Sequence, residues 1–182
     1  MFPINNSRIK AAAAIALIGA TVPIGIGFAH GSDHDGLTSA QRTVIREATD
    51  KFRDVDTAIA AGYVPTDVCT ELPDGGGGMG YHFVNPALAA DAKVDPTLPE
   101  ILVYVTAKDG RFRLGAIEYF VADSDQDLAT DADRPTLMGH AFDGPMEGHE
   151  PGMPAHYDLH AWVYRANPAG ELSAWNPRVS CD

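Results

Sequence analysis

The chain has 182 residues, 13 basic against 25 acidic side chains, a formal charge of −12 and 45% hydrophobic residues. That balance disfavours nucleic acid and anionic lipid as partners and favours metal cations or basic partners. The length beyond the N-terminal segment suits one domain with a sizeable core.

Arg8 and Lys10 precede an apolar run from Ala11 to Ala29, with the small residues Gly27 and Ala29 at its end. This pattern predicts a secretory signal peptide over residues 1–29, with an uncleaved anchor as the alternative. Cleavage would remove two basic residues and no acidic one, leaving a charge of −14 from 11 basic and 25 acidic side chains. The expected location is secreted or extracytoplasmic, with no membrane span in the mature chain. The glycine-bearing stretch "HGSDHDG", residues 30–36, is expected to be a flexible N-terminal segment; a terminal His30 beside His34 reads as a solvated tail rather than a copper chelate.

Residues 37–182 are expected to form one α+β domain. In "LTSAQRTVIREATDKFRDVDTAIAAG", Thr38 and Gln41 form a capping box and Gly62 supplies a stop. Val44, Ala48, Phe52, Val55 and Ile59 recur at spacings of four and three, predicting a single amphipathic helix. A short strand is expected from Met79 to Val84, behind four glycines that read as a hinge or a close backbone approach. "ILVYVTAKDGRFRLGAIEYFVA" predicts a hairpin turning at Asp109-Gly110. "AHYDLHAWVYRANPAGELSAW" predicts a second, turning at Asn167 to Gly170. Residues 87–99 and 122–154 are expected to be long loops. The architecture predicted is the helix packed on a curved antiparallel sheet, or incomplete barrel, of about five strands.

Cys69 and Cys181 read as a disulfide in an exported chain. Closing that loop would stabilise the fold by about 4–5 kcal/mol in the chain-entropy model.

The candidate chemistry lies on the strands. From Ala155 onward, His156, Asp158, His160, Trp162 and Tyr164 alternate onto one face, while Tyr157, Leu159, Ala161 and Val163 take the other. His156 and His160 would stand about 13 Å apart on a straight strand, too far to share one ion, so a partner from another strand is required. His82 is the lone ionisable group in "MGYHFVNP", and Glu118 is a lone carboxylate in "LGAIEYFVA". A carboxylate buried there needs a cation, a metal or donors.

His82, Glu118 and one or, if the strand is bulged or strongly curved, both of His156 and His160 are the expected ligands of one transition metal ion, zinc, copper or iron. Asp158, His149 and His140 are expected to orient or cover them. The alternatives are a hydrogen-bonded His/Glu cluster without metal, and a small-ligand pocket walled by Tyr81, Trp162, Tyr164 and Trp175. Asp123, Asp125, Asp127 and Asp131 sit at calcium-loop spacing, but Leu128 replaces the turn glycine and Arg134 the final glutamate, which disfavours calcium. No nucleophile elbow, phosphate loop or dinucleotide fingerprint is present.

The blocks "MGYHFVNP", "EYFV", "PGMPAHYDLHAW" and "NPRVSC" resemble a group of exported bacterial proteins without an established activity. The resemblance covers about Thr38 to Cys181 and implies the same export and fold.

Overall fold

The computed structural model describes residues 36–149 and 152–181. The expected signal peptide and nearly all of the flexible segment, His30 and His34 included, lie outside the described residues.

The helical region begins as its sequence dictates. Thr38 caps helix α1 (Ser39–Thr49) with the full reciprocal capping box to Gln41. The single helix expected there is broken, however, into α1, a 3₁₀ turn (Asp50–Arg53) and α2 (Val55–Ala60). Asp54 is the cause: its extended backbone and its carboxylate, which accepts from the Asp56 amide and the Thr57 hydroxyl, make it a new N-cap inside the apolar pattern. The break also shifts the buried stripe. Ile45, Thr49, Phe52 and Ala58 are buried, whereas Val44 and Ile59, expected inward, are exposed. Thr49 is tolerated in the core because its hydroxyl donates to the Ile45 carbonyl and meets the Tyr164 hydroxyl.

Six antiparallel strands follow in the spatial order β1 (Val64–Glu71), β2 (Gly78–Val84), β3 (Ile101–Thr106), β4 (Phe112–Ala122), β8 (His156–Ala161) and β7 (Asp143–Met146). A short helix α3 (Pro86–Ala89) follows β2, and β5 (Thr136–Leu137) and β6 (His140–Ala141) form a separate ribbon. The expected hairpin around Gly110 joins β3 to β4, with Gly110 at φ +76°. Register shifts in β1–β2, β3–β4 and β7–β8 let the sheet curl into a half-barrel.

Three expectations fail here. Strand β1 was not anticipated, because Pro65 and Asp67, the latter at φ +60°, interrupt its pattern. Residues 122–154 are not one loop but contain β5, β6 and β7. The second hairpin has its turn, Gly170 amide to Asn167 carbonyl, but no return strand. After Ala161 the Trp162 amide bonds to Glu171, while Tyr164 and Arg165 both donate to the Gly115 carbonyl, so the chain leaves the sheet and β7 pairs with β8 instead.

One face of the sheet carries Phe83, Leu102, Tyr104, Leu114, Ile117, Tyr119, Tyr157, Leu159 and Ala161, which form the main core with Ile45, Phe52 and Ala58. The Tyr104 hydroxyl donates to the Phe52 carbonyl, and the Arg46 guanidinium to the Val163 carbonyl. The other face holds a small apolar cluster of Val103, Val105, Ala116, Trp162 and Val179.

The C-terminal segment is fastened at two points. Cys69 and Cys181 form the expected disulfide. Gly78 bridges to Asn176, and a Cβ on Gly77 would lie 2.5 Å from the Asn176 carbonyl oxygen. The glycine run therefore serves close backbone approach.

Candidate metal centre

The far face of the sheet is polar in its middle because of register. Glu118 on β4 stands directly opposite His160 on β8, Phe120 opposite Asp158, and Ala122 opposite His156. On the other side, Ile101 separates Glu118 from β2, whose Val84 pairs with Ile101 and whose His82 pairs with Val103. His82 reaches diagonally across this row. Its Nε2 lies 3.1 Å from Glu118 Oε2, and His160 Nε2 lies 3.4 Å from the same oxygen.

The expected four ligands thus divide. His82, Glu118 and His160 bring one donor atom each within 4.8 Å of one another. His156 does not join them; it belongs to a second trio with His149 and Asp158, again within 4.8 Å. The strand rise explains the separation of two histidines four residues apart. Asp158, a member of the second trio, also faces the first, with Oδ1 3.7 Å from His160 Nδ1 and Oδ2 4.0 Å from His156 Nε2. His140, in the β5–β6 ribbon, is in neither trio.

These groups are buried and poorly satisfied. Among the described residues, eight buried side-chain polar atoms lack a hydrogen-bond partner, and six of them belong to Glu118, His156, Asp158 and His160. Such atoms are few in native proteins and costly to leave unpaired, and here they concentrate on one sheet face.

The electrostatics follow from this packing. Burial alone would push the Glu118 carboxyl up, but the imidazoles of His160 and His82 outweigh it and draw it down to about 2. Burial would likewise lower His160, yet Glu118 and Asp158 raise it to about 9. Without metal, the two carboxylates beside His160 favour its protonated form. Burial lowers His156 and keeps it neutral, while its Nδ1–H donates to the Pro154 carbonyl at 3.1 Å. That bond leaves the lone pair on Nε2.

A cavity of about 270 Å³ opens at His82 and Glu118, its wall completed by Thr66, Thr70, Val84, Ala89, Ile101, Phe120, His149, Gly152 and Met153. The aromatics expected in such a pocket lie elsewhere. Tyr81 alternates to the face opposite His82 and stacks edge-on against Phe112. Trp162 is buried in the small apolar cluster, its Nε1–H donating to the Ser173 carbonyl. Tyr164, turned when the chain leaves β8, contacts Thr49 and lies under the guanidinium groups of Arg46 and Arg53. Trp175 lines a second, wider cavity of about 570 Å³ with Met79, Asp143, Met146, His149, Asp158, Ser173 and Ala174.

Sequence reasoning missed Glu100. It is 2% exposed, accepts the Phe120 amide at 3.0 Å, and is raised to about 7, chiefly by burial. Its place immediately before the apolar run of β3 was the available signal. In the acidic loop, Asp123, Asp125 and Asp127 each accept the backbone amide two residues on.

Among the described residues no helix is long and apolar enough to cross a membrane. The disulfide is compatible with an oxidising, extracytoplasmic setting. No protein-family profile, curated protein or solved structure matches the chain, so the functional reading rests on the chemistry of this site.

Proposed function

We propose that this is an exported metal-binding protein in which His82, Glu118 and His160 hold one transition ion with a coordination position open to the 270 Å³ cavity. The observation that carries the reading is the convergence of His82 Nε2 and His160 Nε2 on Glu118 Oε2 at a buried place. Two imidazoles and one carboxylate with an open position suit zinc that activates water, or iron that binds dioxygen. Asp158, beside His160 Nδ1, is placed to orient that imidazole and raise its basicity.

Cobalt(II) added to the chelator-stripped protein tests this. Visible d–d absorption that develops to saturation in wild type, and is lost or much weakened in folded His82→Ala and His160→Ala variants, is the expected result. No such absorption in wild type would contradict it.

A second reading draws on the cavity wall, where Val84, Ala89, Ile101, Phe120 and Met153 are apolar. In this reading the cavity holds a small apolar ligand, oriented by His82 and Glu118. Stabilisation by such ligands in excess EDTA, undiminished in His160→Ala, would favour it.

A further inference from the structure

The trio His149, His156 and Asp158 adjoins the site above through Asp158, and the proposed function does not use His149 or His156 as ligands. His156 is fully buried and Asp158 is 1% exposed. His156 Nε2 and both Asp158 oxygens lack hydrogen-bond partners. His156 is also pre-oriented: Nδ1–H is held by the Pro154 carbonyl, its ring is stacked on Phe120 with centroids 5.1 Å apart, and Nε2 is presented towards Asp158 Oδ2. A histidine with one nitrogen tied to a carbonyl and the other bare is how proteins prepare a metal ligand. His149 faces it edge-on, ring centroids 5.0 Å apart, from an exposed loop position that lines both cavities.

From this geometry we infer that His149, His156 and Asp158 form a second metal position, for a zinc or copper ion, linked to the first through Asp158. Two imidazole nitrogens and one carboxylate oxygen favour these borderline cations over calcium or magnesium, which require mostly oxygen donors. Asp158 serves both positions: Oδ1 faces the His160 imidazole of the first, and Oδ2 faces His156 of the second. His149, the exposed member, is the ligand that an arriving ion meets from solvent. The second cavity is lined by His149 and Asp158 together with Asp143, which stands opposite Asp158 across β7 and β8.

The second position shares Asp158 with the first but takes His149 and His156 as ligands that the first does not use, so substitutions at those two histidines and at His82 distinguish the two. The test is titration of zinc into the full, chelator-stripped protein in competition with a chromophoric chelator. Wild type is expected to take two equivalents, His82→Ala one, His156→Ala one, and the double variant none. His149→Ala, at an exposed loop position, is expected to weaken one equivalent by about tenfold or more. It should leave the other within about twofold. One equivalent in wild type, lost with His82→Ala but retained in His156→Ala and His149→Ala, would overturn the second position and leave the first. One equivalent lost with His156→Ala but retained in His82→Ala would support the second and overturn the first.

Discussion

Glu118 and His160 face each other as a direct cross-strand pair on β4 and β8, with 3.4 Å between Oε2 and Nε2 and no hydrogen bond between them. Both are essentially without solvent exposure. Their attraction opposes the effect that burial would have on either group, drawing the carboxyl down and the imidazole up.

Removing one partner is therefore expected to be costly. Glu118→Ala removes one of the two carboxylates beside His160, leaving Asp158, and should destabilise the metal-free protein by up to about 3–5 kcal/mol. Glu118→Gln retains the volume and should cost less while still weakening metal binding by at least about tenfold. Urea unfolding in EDTA, beside a metal titration, separates the two effects.

The pair also predicts a pH dependence. His160 is raised from 6.5 to about 9, so its stabilisation is fully present below about 6.5 and is lost as pH rises through 9. Glu118 is lowered from 4.5 to about 2, so its contribution is present above about 4.5 and is lost as pH falls through 2. In EDTA, the stability difference between wild type and His160→Gln should be greatest between about pH 4.5 and 6.5 and shrink on the alkaline side. A difference that grows towards pH 9 would show that His160 is neutral in the metal-free fold.

Glu100 should behave in the opposite sense to Glu118. Its raised value, about 7 against 4.5, means that ionisation opposes folding as pH rises through that interval. Glu100→Gln retains an acceptor for the Phe120 amide and removes the charge. It should match wild type near pH 4 and exceed its stability above pH 7 by on the order of 2 kcal/mol. Denaturation midpoints at pH 4.5 and 8 check this.

The disulfide closes a sequence separation of 112 residues. Its removal, by Cys69→Ala with Cys181→Ala, should cost about 4–5 kcal/mol in the chain-entropy model. The bridge between Gly78 and Asn176 holds the same C-terminal segment. Gly77→Ala, whose Cβ would meet the Asn176 backbone, should release it and destabilise the fold even with the disulfide intact. Thermal unfolding of each variant measures the two contributions.

Much of this arrangement was legible in the residues. Alternation along "HYDLHA" separated Tyr157 and Leu159 from His156, Asp158 and His160, and the Asp109-Gly110 turn located β3 and β4. Glu118 and His82 stood out as ionisable groups in apolar strands, and the structure brings them together. Which of His156 and His160 would meet them depended on register between β4 and β8, which no local pattern contains. The helix break at Asp54 shows a capping residue prevailing over an apolar period. The path after Ala161 was misread because "WVY" has strand-like composition, whereas tertiary hydrogen bonds to Gly115 and Glu171 decide its course.

The most direct test of the central claim is elemental analysis of the full-length protein, exported by its own N-terminal segment and purified without a histidine tag or chelator. His82→Ala and Glu118→Gln variants should be purified in the same way. The account predicts at least one equivalent of zinc, copper or iron in wild type, with one equivalent lost from each folded variant. Wild-type protein that contains no metal, and takes none up on reconstitution, would contradict it.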